Sequence, residues 1–312
     1  MASNRTVVAG RLHDGPPQPP TRHRRVRRSW RYTHWLYLAA PLVLLVVFTY
    51  VPVANLVSYS FTDWDGLSKT SQFVGLDNYT ELFTRPKLFQ VFFVSLFYLA
   101  GAVVQIVLAL YFAAILGAGV RFRTFFKGIL FFPYLINGVA IGFVFLYFFQ
   151  PGGTLDTVLG LFGATPKLWL GDPDLVNTSL AGVSVWRFLG VNFVLFFGAI
   201  QAIPTHLYEA AALDGATTWQ QFRHITLPAL KPIISITTIL AVSGSLSVFE
   251  IPLIMTGGSN NSTTFVIQTL KLAFQFDKVG LASAAAIVLL GLVLLVTWLQ
   301  RVLVPDERVE MS

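Results

Sequence analysis

The sequence contains no cysteine and few charged residues. Only 12% of its 312 residues are Asp, Glu, Lys or Arg, against about 25% in a typical soluble domain, whereas 54% are hydrophobic and 14% aromatic. The absence of cysteine excludes disulfide bonds, thiol nucleophiles and cysteine-ligated metals. The scarcity of charge beside so much apolar sequence predicts a chain embedded in a lipid bilayer.

No pattern for catalysis, metal binding or nucleotide binding occurs either. The five histidines lie in the N-terminal tail or in segments expected at the cytoplasmic side, and neither H-E-x-x-H nor G-x-S-x-G is present. No phosphate-binding loop of the form G-x-x-x-x-G-K-[ST] occurs. The chain is therefore predicted not to be an enzyme, to have no catalytic or metal site and not to hydrolyse ATP by itself, and an intramembrane enzyme is disfavoured.

What is present is a set of long hydrophobic runs. A helix needs roughly 20 apolar residues to span about 30 Å of hydrocarbon, and these runs lack the alternation of a transmembrane β-barrel. The sequence predicts an all-α membrane protein with six transmembrane helices. The predicted spans are residues 35–58, 90–117, 124–149, 179–203, 232–254 and 281–304.

Lys and Arg are distributed unevenly around these spans. Fifteen fall in the tail and on its side of the membrane, against six on the other side, so both termini are predicted to be cytoplasmic. Residues 1–31 are expected to be a disordered basic tail, and residues 32–312 the membrane domain. Because the basic cluster directly precedes the first span, it is expected to orient that span and contact anionic lipid rather than nucleic acid.

The segment 204–231, between the fourth and fifth spans, is polar and helix-forming. Thr205 is expected to cap a helix through Leu213, Asp214-Gly215 to interrupt it, and Thr218 with Gln221 to form a capping box for a second helix. Leu227-Pro228 is expected to stop that second helix. The small Ala210–Ala212 face, with acidic residues beside it, predicts a helix on which another protein docks.

This segment resembles a family signature. Glu209-Ala210-Ala211, Asp214-Gly215-Ala216 and Leu227-Pro228 are similar to the EAA, DGA and LP elements of permease subunits of bacterial ATP-binding-cassette importers, of the maltose and glycerol-3-phosphate type. Other stretches that look like landmarks of this family are Phe132-Pro133-Tyr134, Val185-Trp186-Arg187-Phe188 and Thr256-Gly257-Gly258.

The resemblance implies a sugar importer of the bacterial cytoplasmic membrane. Its coupling helix would sit in a cleft of an ATPase subunit, with ATP and Mg bound by that partner and no cofactor in this chain. The implied partners are a second, different permease, two ATPase subunits and an extracellular substrate-binding protein. The residues expected to couple to the ATPase are Glu209, Ala210, Ala211, Asp214, Gly215, Ala216, Leu227 and Pro228.

Polar residues at bilayer depth are costly and mark candidate solute contacts. Ser243, Ser247 and Glu250 recur at i, i+4 and i+7, which would put them on one helical face. The full set of candidates for the solute path is Asn137, Trp186, Arg187, Asn192, Ser243, Ser247 and Glu250. The alternatives are that the serines only permit close helix packing or bond back to the backbone, that Asn137 bonds one helix to another, and that Arg187 and Glu250 form an ion pair between helices.

The function that follows is translocation of a di- or oligosaccharide, or a similar polar solute, driven by partner ATPases. A self-sufficient ion-coupled carrier is the alternative, and it would more typically show inverted repeats and charges buried on several helices. A carrier would transport in liposomes without ATP, and an importer subunit would not.

Overall fold

The computed structural model describes residues 30–117 and 121–303. Residues 1–29 of the predicted basic tail lie outside these ranges. The described chain divides into two compact units, with the boundary after Pro52. In the first unit, helix α1 (Trp30–Leu45) runs through Pro41 into a π-helical segment, Val46–Tyr50. Helix α2 begins at Val51 and ends at Tyr59, in the second unit.

The second unit is helical throughout its described part, apart from loops and one isolated bridge. Its long helices are α4 (Pro86–Gly117), α8 (Val176–Gln201) and α15 (Val279–Leu303). The others are α3 (Asp77–Thr84), α5 (Arg123–Leu135), α6 (Gly138–Phe148), α7 (Thr154–Gly160), α9 (Thr205–Leu213), α10 (Thr218–Gln221), α11 (Leu227–Ala229), α12 (Lys231–Leu246), α13 (Glu250–Thr256) and α14 (Phe265–Phe274). A second π-helical segment, Phe222–Thr226, joins α10 to α11.

Apolar helical stretches long enough to cross a membrane occur five times among the described residues, and α5 with α6 supplies a sixth when counted together. The five are Tyr37–Tyr59, Val91–Gly117, Val176–Gln201, Lys231–Thr256 and Val279–Val302. The predicted all-α membrane fold is therefore confirmed.

The third span is not the continuous helix that the hydrophobic run predicted. Helices α5 and α6 meet at an angle of 97°. Ile136 and Asn137 between them have ψ values of 136° and 137°, outside the helical region. The Asn137 side chain accepts a hydrogen bond of 2.8 Å from the Val139 backbone N–H and so caps α6.

The fifth span is also broken. Helix α12 ends at Leu246, and Ser247 and Phe249 have non-helical backbone angles before α13 begins at Glu250. The expectation that Ser243, Ser247 and Glu250 share one helical face is wrong, because that spacing argument requires an unbroken helix. The breaks of the third and fifth spans lie close together, as the contact between Gly138 and Glu250 described below demonstrates.

The core that supports these breaks is formed by α4 and α8. Ala109 and Ala113 on α4 are fully buried, and their small side chains leave room for Phe193 and Phe196 of α8, which are also fully buried. A second cluster brings Ile141 of α6 and other apolar residues of α4, α8 and α13 together. The interlocked pair α4–α8 thus provides a rigid wall against which the broken spans pack.

The segment between the third and fourth spans is held by Asp156 on α7. Its carboxylate accepts hydrogen bonds from the Trp169 indole N–H (2.8 Å) and from the backbone N–H groups of Gly152 (2.9 Å) and Lys167 (3.3 Å). These donors, the Trp169 indole first, lower the pKa of the Asp156 carboxyl below its usual value. One carboxylate therefore ties both ends of this segment together.

Candidate functional site

The segment 204–231 begins with helix α9, which has no buried residue. Pro204, with extended backbone angles, occupies the N-cap position, and no side chain caps the helix there. The prediction that Thr205 is the cap is wrong, since Thr205 already lies in the first turn. Helix α9 is nevertheless tied to the second helix, because the Tyr208 hydroxyl and the Thr226 hydroxyl are 2.9 Å apart and hydrogen-bonded.

The C-terminus of α9 closes in a Schellman motif, the glycine-dependent helix ending with two reversed hydrogen bonds. The Ala216 N–H donates to the Ala211 carbonyl (2.9 Å) and the Gly215 N–H to the Ala212 carbonyl (3.1 Å). Gly215 has a φ of 81°, a left-handed conformation that residues with a Cβ rarely adopt. The interruption at Asp214-Gly215 therefore has a definite backbone geometry.

The second helix starts one residue earlier than the sequence pattern predicted. The capping box consists of Thr217 and Gln220, with the Gln220 side chain accepting from the Thr217 N–H at 2.7 Å. Thr218 with Gln221 does not form it, because Gln221 points back to the Tyr208 and Ala216 carbonyls at 3.4 and 3.5 Å. Gln221 thereby links the second helix to the first.

Leu227-Pro228 does not stop the second helix, contrary to the prediction. The turn before it widens into the π-helical segment, in which the Leu227 N–H donates to the Phe222 carbonyl five residues back. A proline lacks an N–H and crowds the carbonyl four residues before it, and a wider turn relieves that crowding. Val46–Tyr50 stands in the same relation to Pro52 in the first span. The chain continues helically through Pro228 toward α12.

The outer surface of this segment is exposed and partly apolar. Leu213 is 90% exposed and Trp219 67% exposed. The Glu209 side chain is exposed and forms no ion pair or hydrogen bond with any other described residue. A shallow hollow of about 310 Å³ lies over the junction of the two helices and includes Asp214, Gly215 and Ala216. These features leave an uncovered surface around the predicted coupling residues.

A second concave feature lies between the spans. This cavity of about 430 Å³ is lined by residues of α4, α5, α8, α12 and α13, and its volume is within the range of about 300–1,000 Å³ usual for ligand pockets. Four of the predicted solute-path residues, from two helices and from the break in the fifth span, meet in its wall. They are Arg187, Asn192, Ser247 and Glu250.

The other three predicted residues do not line this cavity. Asn137 is committed to capping α6. Trp186 packs its ring against Phe145, with 5.1 Å between the ring centroids. Ser243 contributes its backbone carbonyl to Ser247, whose hydroxyl donates to it at 2.6 Å. Three of the seven residues that the sequence proposed for the solute path thus lie outside the cavity lining.

The most polar contact in the cavity is an ion pair. The Arg187 Nη1 lies 2.7 Å from the Glu250 Oε2, with 14% and 34% of the respective side chains exposed. A Cβ at Gly138 would overlap both the Glu250 carboxylate and the Arg187 guanidinium. Glycine at the first position of α6 therefore allows the pair to lie against the break of the third span. The ion pair between Arg187 and Glu250, which the sequence analysis gave as an alternative to a role in solute binding, is present.

Two lining residues on α4 were missed by sequence reasoning. Tyr98 is only 4% exposed, and its hydroxyl has no hydrogen-bond partner among the described residues. Gln105 donates from Nε2 to the Phe188 carbonyl at 3.2 Å. Their only sequence signal was polarity inside the second hydrophobic run. Hydroxyls elsewhere in the wall, such as those of Thr237 and Ser245, donate to carbonyls of their own helix.

Within the described residues no cluster of three or more His, Cys, Asp or Glu side chains is placed to hold a metal ion. Aliphatic side chains form much of the cavity lining, and the other groups there are aromatic rings, hydroxyls, amides and one internally neutralised ion pair. Such a set can bind a polar, uncharged molecule by hydrogen bonding and stacking, and it offers no group activated for covalent chemistry.

Comparison with known proteins shows to which family the chain is similar. Residues 105–309 match the family model described as "Binding-protein-dependent transport system inner membrane component". The chain is 34% identical over 275 residues to the multiple sugar-binding transport system permease protein MsmF of Streptococcus mutans, covering 86% of this chain and 94% of that protein. It is 32% identical over 312 residues to the diacetylchitobiose uptake system permease protein NgcF of Streptomyces coelicolor, covering 93% and 88%.

Two solved structures share the fold. One is a bacterial ABC transporter involved in the import of the acidic polysaccharide alginate, with a TM-score of 0.79 and 21% identity over 87% of this chain and 94% of that one. The other is a bacterial alginate ABC transporter in complex with an alginate pentasaccharide-bound periplasmic protein, with a TM-score of 0.79 and 20% identity over 87% and 93%. The match over most of the length, together with the helical membrane fold, identifies the chain as a multi-pass membrane protein that belongs to the family of binding-protein-dependent transport system inner membrane components, the permease subunits of ABC importers.

Proposed function

We propose that this permease carries a carbohydrate across the cytoplasmic membrane and that partner ATPases drive it by pulling on the segment 204–231. The observation that carries the proposal is the continuity between that segment and the cavity. The Leu230 N–H donates to the Thr226 carbonyl (3.0 Å) and the Ile234 N–H to the Leu230 carbonyl (2.9 Å), so the second helix leads directly into α12.

Because of this continuity, the second helix and α12 can act together as a lever on the cavity wall. Helix α12 carries Thr237 and Ser245 into the cavity wall, at the other end of the same helical path. At about 1.5 Å per residue, the helical path from Thr218 to Ser245 is roughly 40 Å long when followed along the chain. A displacement imposed on the segment 204–231 would therefore move one wall of the cavity relative to the α4–α8 wall.

The coupling role falls to the exposed surface of that segment. Glu209, Ala210 and Ala211 would meet the ATPase, and the Schellman motif at Asp214-Gly215-Ala216 would hold the helix end in the conformation that docks. Leu227-Pro228 lies where the docked part joins the lever. ATP and Mg would be bound by the ATPase alone.

The carbohydrate assignment draws on the cavity and on the relatives. Sugars present many hydroxyls on a partly apolar ring, and they suit a wall that combines the rings of Tyr134 and Phe249 with the amide of Asn192. The relatives carry names for multiple sugars and for diacetylchitobiose. A di- or oligosaccharide is the corresponding solute class.

The proposed assembly contains a second permease of different sequence, two ATPase subunits and a substrate-binding protein on the outer face. One chain supplies only half of a pathway between two permeases, and the solved relative was bound to a periplasmic protein loaded with its sugar. The excess of Lys and Arg on one side of the spans supports cytoplasmic termini, which also puts the segment 204–231 within reach of the ATPases.

Co-purification with the ATPase subunits tests this. Glu209→Lys reverses the one charge that α9 leaves free, and it is expected to reduce the co-purified ATPase and ATP-driven uptake while the permease still reaches the membrane. Asp174→Lys is the matched control, because it makes the same charge reversal at an exposed position between the third and fourth spans. Undiminished assembly and uptake with Glu209→Lys would refute the coupling role.

A separate reconstitution tests the mode of energisation. The complete complex in liposomes is expected to take up sugar only with ATP inside. Uptake by the purified permease alone, driven by an ion gradient, would replace the proposal with the ion-coupled carrier.

A further inference from the structure

The charges that face the cavity are few. Among the described residues, Arg187 and Glu250 are the only charged side chains in its lining. They come from different helices, α8 and α13, and they are 2.7 Å apart, so their formal charges cancel. The wall therefore presents polar groups without a net charge.

The pair is held in place by packing. The carboxylate and the guanidinium both lie against the backbone of Gly138, where a Cβ would not fit. The Arg187 side chain is 14% exposed, so little water is available to replace Glu250 as its partner. Separating the pair would leave two poorly solvated charges, which is far more costly than separating an exposed pair.

This arrangement discriminates between solutes by charge. A carboxylated solute could use Arg187 only by displacing Glu250, and it would then bring a second carboxylate next to the first. An uncharged solute avoids both costs, because the pair can stay intact while other groups bind it. The Asn192 amide, which lies in the cavity lining, is one such group.

We infer that Glu250 is a specificity-determining residue, which makes the cavity selective for uncharged carbohydrates over acidic ones by neutralising Arg187. The inference rests on the proposed function, since it concerns the solute that passes through this cavity. It assigns Glu250 a role in choosing the cargo and not in driving its movement.

Equilibrium binding to the permease complex tests the inference. The complex, reconstituted in lipid nanodiscs with its partner permease and ATPases but without the substrate-binding protein, is titrated at pH 7 with two radiolabelled probes. Maltotriose is the neutral probe and trigalacturonate the acidic one. Omission of the binding protein makes the measured preference a property of the membrane subunits.

The two single variants are expected to shift the ratio of the two affinities in opposite directions. Glu250→Gln leaves Arg187 unneutralised, and it is expected to raise the affinity for trigalacturonate relative to maltotriose by about tenfold, equivalent to about 1.4 kcal/mol. Arg187→Gln leaves the carboxylate alone and is expected to lower that ratio. The double variant, with neither charge, is expected to return the ratio to within about threefold of the wild-type value.

If the Arg187–Glu250 pair had only a structural role, a different result would be expected. Both single variants would then change the two affinities together, and the ratio would move in neither direction. An unchanged ratio in both single variants, or a shift in the same direction in both, overturns the inference and leaves carbohydrate transport intact. Binding of neither probe by the wild-type complex overturns the carbohydrate assignment, and the inference with it.

Discussion

Replacement of Gly138 by alanine tests the geometry at the meeting point of the two broken spans. The added methyl group would occupy space filled by the Glu250 carboxylate and the Arg187 guanidinium. These groups are the two members of one ion pair, and the atoms at risk are the ones that form its 2.7 Å contact. The methyl group can be accommodated only if the pair separates or if α6 moves away from α13.

The expected loss follows from the burial of the pair. Breaking a fully buried ion pair costs about 3–5 kcal/mol, and an exposed one about 0–1 kcal/mol. With side-chain exposures of 14% and 34%, Arg187 and Glu250 fall between these limits. We expect Gly138→Ala to destabilise the chain by about 1–3 kcal/mol, which corresponds to a fall in Tm of roughly 2–10 °C for a unit of this size.

Gly128→Ala is the matched control on the other half of the same span. A Cβ at Gly128 meets nothing within 4 Å, so alanine there should only improve helix propensity, by about 0.5–1 kcal/mol. Thermal unfolding of the detergent-purified protein, followed by tryptophan fluorescence, compares the two. If Gly138→Ala melted as high as Gly128→Ala, the close packing of the ion pair on α6 would be wrong.

Three further predictions use other parts of the chain. Gly215→Ala forces a side chain into left-handed backbone, at about 1–2 kcal/mol, so amide hydrogen exchange across residues 205–217 should quicken by about fivefold or more. Tyr98→Phe removes a buried hydroxyl that has no hydrogen-bond partner among the described residues, so Tm should hold or rise slightly. Asp156→Asn should lower Tm at pH 7, and the fall in Tm should become progressively smaller below pH 4. The reason is that folding lowers the pKa of the Asp156 carboxyl from 3.8. Its contribution to stability is therefore present above that value and is lost as the pH falls through the folded pKa.

Each of these has a contrary outcome. Unchanged exchange in Gly215→Ala would mean that the Schellman motif does not hold the end of α9. A large fall in the Tm of Tyr98→Phe would show that the hydroxyl has a partner in the folded chain. A difference in Tm between Asp156→Asn and wild type that stays constant from pH 7 to pH 3 would remove the ionised carboxylate from the stability of the segment it ties together.

The sequence was most informative about features that depend on neighbouring residues along the chain. The hydrophobic runs predicted the membrane spans, because transfer of apolar side chains into lipid depends on composition over about 20 residues and hardly on tertiary contacts. The interruption at Asp214-Gly215 was predictable for a similar reason, since a glycine after a helical run is a local ending signal. Its neighbour, the capping box, was displaced by one residue because Thr217 and Thr218 carry the same local signal, and only the long-range bonds of Gln221 distinguish them.

The candidate cavity was only partly predictable. Arg187 and Glu250 stood out as charges at bilayer depth, but 63 residues separate them, and their distance is a property of how α8 and α13 pack. Ser243 and Asn137 met the same criterion of polarity at bilayer depth, and both lie outside the cavity lining. Tyr98 looked like one more aromatic residue in an apolar run until the packing of α4 against α8 enclosed its hydroxyl.

The sequence by itself determined the class of this protein: composition and run length require a helical membrane chain, and the short motifs between the fourth and fifth spans assign it to transport permeases. The tertiary structure decided where the third and fifth spans break, which polar groups face one another and which are used up as caps. The reason is physical. Partition into lipid and helix ending depend on neighbours along the chain, whereas an ion pair, a cavity and a helix break in a membrane depend on groups brought together from distant parts of it.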